Sequence, residues 1–235
     1  MSEIKTAIVT GASSGIGYEI CRMFLKENIK VYGLGRNFTN EITSDLFKPI
    51  KIDLTNINIL CQKINEIKKE NKNNINYLVN CAGVGYFGLH EHLNTKKIHE
   101  MTVINIEIPM ILTQLLLRCL KNTNGHIINI SSVTAKKSNT YGCAYGATKA
   151  ALTSFSESLF DEVRKYGVKI TSIHPDITKS NFYRNADFCQ SEENDTFLTP
   201  CEIAKAVKFI INQRQEISVT DITIKPQKHK IQRKI

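Results

Sequence analysis

The stretch Gly125 to Lys149, GHIINISSVTAKKSNTYGCAYGATK, decides how the chain folds. Gly125-His126 reads as a turn, and Ile127-Ile128-Asn129-Ile130 after it has the β-branched, apolar character of a buried parallel strand. Such a strand delivers Ser131 and Ser132 to its carboxyl edge, where open α/β sheets gather their chemistry. After a polar loop, Tyr145 and Lys149 stand four residues apart in a segment rich in Ala, Ser and Leu that reads as helix. That spacing puts phenol and ammonium on one helical face. A phenol titrates near pH 10, so a neighbouring cation must stabilise the phenolate before the group exchanges protons near neutrality. Lowering its pKa by roughly three units asks about 4 kcal/mol of Lys149 and any cofactor charge, which a low-dielectric cleft can supply. On spacing alone the same pair could equally decorate a solvated helix surface.

Upstream, Lys5 to Thr10 is a short apolar strand, followed by Gly11-Ala12-Ser13-Ser14-Gly15-Ile16-Gly17 and a helix-like segment to about Asn28. Glycines between a strand and a helix let the backbone close on a diphosphate, which then sits on the positive end of the helix. The spacing, T-G-x-x-x-G-x-G, departs from the commoner G-x-G-x-x-G. A second strand, Lys30 to about Gly35, ends in Gly35-Arg36-Asn37, where an NAD-binding chain would carry an acid for the ribose 2′-hydroxyl. A guanidinium there forks onto a 2′-phosphate, so Arg36 points to NADP(H), with NAD(H) possible. Ile50 to Leu54 reads as the third strand, and Asn56 to Lys69 as a helix with Ile57, Leu60, Ile64 and Ile67 on one face. Tyr77 to Asn80 is the fourth strand and runs into Cys81-Ala82-Gly83.

Downstream, Val168 to Ile173 is a strand that ends in His174-Pro175-Asp176-Ile177-Thr178-Lys179-Ser180, with His174 read as a structural strand-end residue. Asn181 to Leu198 is a polar loop carrying Phe182, Tyr183, Phe188 and Phe197. Thr199-Pro200 opens a helix in good N-cap form, and Ser218 to Ile224 is a final strand. The alternation of strands and helices predicts a single-domain Rossmann-type α/β fold, a doubly wound parallel sheet with helices on both faces. It spans residues 1–226 and leaves 227–235 as a basic tail.

The order Ser132, Tyr145, Lys149, with the glycine turn, Asp53, Asn80-Cys81-Ala82-Gly83 and Pro175 to Ser180, resembles the short-chain dehydrogenase/reductase (SDR) family from Lys5 to about Pro226. The resemblance implies about seven strands and an oxidoreductase that passes hydride between a nicotinamide and a carbonyl or secondary alcohol. It implies Tyr145 as general acid/base, Ser132 as the hydroxyl that holds the substrate oxygen, and Lys149 as the group that holds the nicotinamide ribose and depresses the Tyr145 pKa. Asn105 matches the family's helix asparagine, associated with a local helix break and a water that resupplies protons. Implied cofactor contacts are Gly11, Ser13, Ser14, Gly15, Ile16 and Gly17 in the turn, then Arg36, Asp53 (at the adenine amino group) and Leu54. Further along they are Asn80, Ala82 and Gly83, then Tyr145 and Lys149, then Pro175, Ile177 and Ser180, the last standing for the family's Thr.

Two departures stand out: Cys81 replaces the second Asn of N-N-A-G, and Asp176 replaces the Gly of P-G. Tyr86 and Phe87 can wall a substrate pocket, and Asn181 to Leu198 lies where family members carry a substrate lid. The apolar helix Ile106 to Leu120 and the Tyr145 helix resemble the family's subunit interface, which implies a homodimer or homotetramer. The fold does not choose among the family's substrates. Asp221 to Pro226 looks more like broad-specificity bacterial oxidoreductases than like 3-oxoacyl carrier-protein reductases, which stay as an alternative. An NADPH-binding sensor with little turnover is the alternative of another class, opposed by the intact set Asn105, Ser132, Tyr145 and Lys149.

At 235 residues the chain suffices for one large α/β domain. No run of about 18 apolar residues appears and a strand begins almost at once, so a soluble, cytoplasmic protein without membrane span or signal peptide is expected. Seven scattered cysteines read as reduced packing residues. His90-Glu91-His92 puts its histidines on no common helical face, and no metal site is expected. The net charge is +9, with Lys225, Lys228, Lys230, Arg233 and Lys234 crowded at the end. Lacking interleaved aromatics, this tail reads as a solvated, frayed terminus and not as a nucleic-acid contact.

Overall fold

Strand residues alternate between two faces, and where both faces are apolar the strand must lie between two layers of helix. A computed structural model, which describes residues 4–39 and 41–234, has this arrangement. Its strands are β1 (Thr6–Thr10), β2 (Lys30–Gly35), β3 (Phe47–Lys51), β4 (Tyr77–Asn80), β5 (His126–Ile130), β6 (Lys169–Pro175), β7 (Phe188–Gln190), β8 (Asp221–Ile224) and β9 (Ile231–Arg233). Seven of them form one parallel sheet in the order β3-β2-β1-β4-β5-β6-β8.

The helices are α1 (Gly15–Lys26), α2 (Ile57–Glu70), α3 (Thr95–Thr102), α4 (Ile108–Thr123), α5 (Cys143–Val163) and α6 (Pro200–Ile211). Ile8, Leu34, Leu78 and Ile127 face one layer, where Leu60, Ile64, Leu112, Leu116 and Leu159 from α2, α4 and α5 cover them. Ala7, Val9, Val31, Val79 and Ile128 face the other, closed by Ile20 and Phe24 of α1 and Ile203 and Val207 of α6. The chain leaves β1 toward one side of the sheet and β4 toward the other. Between their carboxyl ends lies the crevice where such sheets bind ligands.

Three local findings refine the sequence reading. β3 begins and ends three residues earlier than expected, so Asp53 stands beyond the strand, accepting from Thr55 N and Oγ1 at 3.0 and 2.8 Å. α3 and α4 are joined by a π-helical turn, Val103–Glu107, which contains Asn105. Together they make a 29-residue helical stretch, Thr95–Thr123, long and apolar enough by composition to cross a membrane, yet half buried inside this fold.

The third finding corrects the expectation of a frayed tail. β9 pairs antiparallel with β7, placing Arg233 opposite Phe188 and Ile231 opposite Gln190. Lys228 meets Asp195 at 2.8 Å, Lys230 meets Glu193 at 2.5 Å, and Lys234 Nζ donates to the Tyr183 carbonyl at 2.5 Å. Lys228 and Lys230 are held because the loop they cross carries the matching acids. Among the described residues, which include all seven cysteines, each is a free thiol.

Candidate active site

A cavity of about 450 Å³ opens at the carboxyl ends of β1, β2, β4, β5 and β6. Its floor is the turn from β1 into α1. Gly11 and Gly15 adopt left-handed φ of 67° and 57°, and a Cβ on Gly17 would meet the Gly11 carbonyl at 2.3 Å. Only glycines allow this tight reversal. Ser13, Ser14, Gly15, Ile16 and Gly17 line the cavity, the first turn of α1 holds no acid, and among the described residues nothing caps it from the Ser14 side chain. Its free N–H groups therefore face the cavity as an anion cradle.

Arg36 lines the same cavity at the end of β2, with Asp53 and Leu54 beside it. Bonds from Thr55, and more weakly the Arg36 guanidinium, hold the Asp53 carboxyl below its ordinary range. From β4, Cys81, Ala82 and Gly83 line the wall, and Thr10 Oγ1 pins them by accepting from Cys81 N and Ala82 N at 3.0 Å each. A Cβ on Gly11 would stand 3.0 Å from the Ala82 backbone, which shows how closely the two strand ends approach. Cradle, cationic end and glycine-lined wall together fit a dinucleotide.

Ser132, Tyr145 and Lys149 converge on the far end, joined by Pro175 and Ser180. Lys149 is 3% exposed, its Nζ donating to the Ile130 carbonyl at 2.8 Å and lying 5.9 Å from the Tyr145 ring centre. Burial pushes it down to about 8, with Cys81 pulling the other way. Tyr145 is closed in by Phe87 and Phe182, with ring centres 5.4 and 5.5 Å away. Here the structure corrects an expectation: burial, with Tyr183 nearby, raises the phenol pKa, and the Ser132 hydroxyl offsets this only in part. The ammonium is engaged by a carbonyl, and desolvation of the phenolate outweighs it.

Ser132 Oγ accepts from Thr134 N at 3.2 Å and from Thr134 Oγ1 at 3.0 Å. With its lone pairs so engaged, its own hydrogen is left to donate into the cavity. Ser180 Oγ accepts from Phe182 N at 3.3 Å, starting the short helical turn Asn181–Asn185 that carries Phe182, Tyr183 and Arg184 to the cavity rim. Asp176 also lines the cavity, and His229 of the tail reaches its carboxylate at 3.4 Å.

Three residues expected at the site stand behind it. Asn80 is buried and donates to Asn129 Oδ1 at 2.8 Å, part of an amide ladder reaching Ser156. Ile177 is packed in the core. Asn105 is fully buried in the π-helical turn, exchanging 2.9 Å bonds with Val84 N and O and donating to Thr148 Oγ1 at 3.0 Å. It holds the wall behind Gly83 and does not line the cavity. Tyr86, expected to wall a pocket, donates instead to Glu100 at 2.7 Å. Sequence reasoning missed Thr134, whose place two residues after Ser132 was the available signal. It also missed Thr10, which precedes the first glycine of the turn.

A family profile described as short chain dehydrogenase matches residues 5–188. An uncharacterized oxidoreductase of Staphylococcus epidermidis is 31% identical over 227 residues, covering 94% of this chain and 97% of the relative. Among solved structures, an alcohol dehydrogenase from the archaeon Thermococcus sibiricus, complexed with 5-hydroxy-NADP, superposes with a TM-score of 0.87 at 21% identity. The match covers 97% of this chain and 99% of that one. A 4-hydroxyisoleucine dehydrogenase complexed with NADH gives 0.82 at 24% identity, covering 94% and 97%. With a seven-stranded parallel sheet and a glycine turn at its switch point, the chain belongs to the short-chain dehydrogenase family of oxidoreductases.

Proposed function

We propose that the protein is an NADP(H)-dependent reductase of small carbonyl compounds, running in reverse on secondary alcohols. The observation that carries this reading is the convergence of Ser132, Tyr145 and Lys149 on one cavity with the glycine cradle and Arg36. When bound, the nicotinamide supplies hydride to the carbonyl carbon, both electrons travelling with it. Tyr145 gives its Oη proton to the carbonyl oxygen as the new C–H bond forms, so the product is a neutral alcohol. Ser132 donates its free hydrogen to the same oxygen and orients it. Lys149 holds the nicotinamide ribose and lies beside the tyrosine that must be reprotonated. Asn105 keeps the wall next to Lys149 in register: a Cβ on Gly83 would touch both Asn105 Oδ1 and Lys149 Nζ at 3.5 Å.

Arg36, at the β2 end and exposed, suits a 2′-phosphate, and the absence of an acid there removes the usual ribose diol partner. Arg36→Asp should weaken NADPH binding far more than NADH binding, measured as dissociation constants for both. Equal effects would place the 2′-phosphate contact elsewhere. We also propose a cytoplasmic homodimer or homotetramer that assembles through α4 and α5, supported by Met110, 38% exposed, and half-buried Ile111 and Leu115 on α4.

The test is cofactor consumption with NADPH and NADH in parallel, across aldehydes, diketones, keto acids and β-ketoacyl thioesters, with Tyr145→Phe as blank. Turnover above the blank supports the reading and gives cofactor and substrate class together. Tight cofactor binding with no turnover on any of them would sink it in favour of a binding role.

A further inference from the structure

Resting on the reading that Ser132 holds the substrate oxygen, we propose that His174 is a positioning residue for this reaction. It fixes the Ser132 peptide by donating Nδ1–H to the Ser132 carbonyl at 3.1 Å, and Asp221 holds the ring from the other side. His174 sits near the carboxyl end of β6 opposite Thr223 of β8, fully buried. A carbonyl oxygen only accepts, so Nδ1 must carry a hydrogen. Nε2 lies 2.7 Å from Asp221 Oδ2. The carboxylate lies off the ring nitrogen's hydrogen-bonding axis, so it braces the ring by close contact and not by an aligned hydrogen bond.

Asp221 is itself fixed from outside. Lys136 Nζ reaches its Oδ1 at 2.5 Å and Thr223 Oγ1 at 3.1 Å. A continuous polar chain therefore runs from the surface at Lys136 through Asp221 and His174 to the Ser132 carbonyl. Burying an imidazole costs more than an apolar side chain would at a position serving only the core.

The carbonyl direction matters because it sets the Ser132 backbone, which is extended at φ −165° and ψ 157° and opens the turn Val133–Ala135. Thr134 occupies the Oγ lone pairs from the front, so the backbone behind decides where the remaining O–H hydrogen reaches. Misplacing a reacting group by about 1 Å can cost on the order of a hundredfold in rate.

The experiment uses the full-length protein and the carbonyl compound that the wild type reduces best, with kcat and KM for Ser132→Ala, His174→Asn, His174→Gln and the Ser132→Ala/His174→Gln double variant. In His174→Asn the amide nitrogen takes the place of Nδ1, and kcat should stay within about threefold of wild type. His174→Gln reaches Asp221 but not the carbonyl, and kcat should fall roughly ten- to a hundredfold with the NADPH KM changed by less than about twofold. In the Ser132→Ala background that loss should vanish, because His174 acts through Ser132. Should His174→Gln not fold, Asp221→Asn carries the same test from the half-exposed end, with a smaller kcat loss that also vanishes without Ser132. Equal losses in the Asn and Gln variants, or a loss that persists in full without Ser132, would overturn the proposal and leave His174 a core residue. A silent His174→Gln beside a crippled Ser132→Ala would overturn it alone. Full activity in Ser132→Ala, or none in the wild type, would overturn the reading of Ser132 and the proposal together.

Discussion

Burial keeps the Tyr145 phenol in its neutral form, which is the form that can give a proton to a carbonyl oxygen. Tyr145→Phe should leave NADPH affinity within a few-fold and cut turnover at least about a hundredfold, the usual scale for losing a general acid; steady-state rates beside a binding titration check this. Lys149 gives the pH dependence. Held at about 8 by burial, it is charged below that pH and neutral above it. The kcat/KM of the free enzyme for reduction should therefore fall as pH rises through about 8, while Tyr145, still protonated, contributes no loss there. A profile flat to pH 10 would remove Lys149 from the rate. Ser132, Tyr145 and Lys149 were found in the sequence by the motifs around them, since their spacing alone suits a solvated helix surface equally well. The direction of the phenol's shift was not, because Phe87 and Phe182 come from distant segments to desolvate it. Asn80 and Ile177 belong to motifs that reach the site while their own side chains turn into the core, a distinction that only the strand-end geometry draws.

Among the elements, β5 and β6 share a buried imidazole at a position that the sequence reads as a turn and the structure makes the first residue of β5. His126 opens β5 beside Lys169 of β6, with Nε2 2.8 Å from Thr171 Oγ1, and burial pushes its pKa down to about 3. The folded chain leaves this ring neutral at pH 5, whereas the unfolded chain protonates it below its ordinary value of about 6.5. Stability from this group is thus unaffected above pH 6.5 and is lost as pH falls toward 3, at about 1.4 kcal/mol per pH unit. Denaturant melts at pH 7 and pH 5 should differ by about 2 kcal/mol more in the wild type than in His126→Gln, which cannot take up that proton. Helix and strand periods predicted nearly every element, since the pattern of two buried faces is strong. β3 came out shifted because Ile52 and Leu54 are apolar for the cleft's sake: both are buried just beyond the strand. β7 and β9 went unread, since three-residue strands carry no period, and their partners are more than forty residues apart.

For the whole molecule, that small second sheet joins the chain's last residues to the loop above the active site. Each ion pair along it is exposed and contributes little alone. The ladder of Lys228 to Asp195, Ser191 to Lys230 and Lys234 to Asp187 backbone bonds makes them act together. A chain ending at Pro226 should keep its melting temperature nearly unchanged, raise the substrate KM by about tenfold as the loop loses its closed position, and be cut by protease between Asn181 and Leu198. Limited proteolysis and substrate titration of the shortened chain check this, and an unchanged KM would mean that the loop closes unaided. The same strand has a practical side. An affinity handle or reporter fused to the carboxyl terminus would hang from β9, pulling through β7 on the segment that carries Phe182 and Tyr183 to the cavity rim. A handle on the amino side leads into β1 from the opposite rim of the sheet, so expression vectors that tag that end are the ones whose kinetics should be believed.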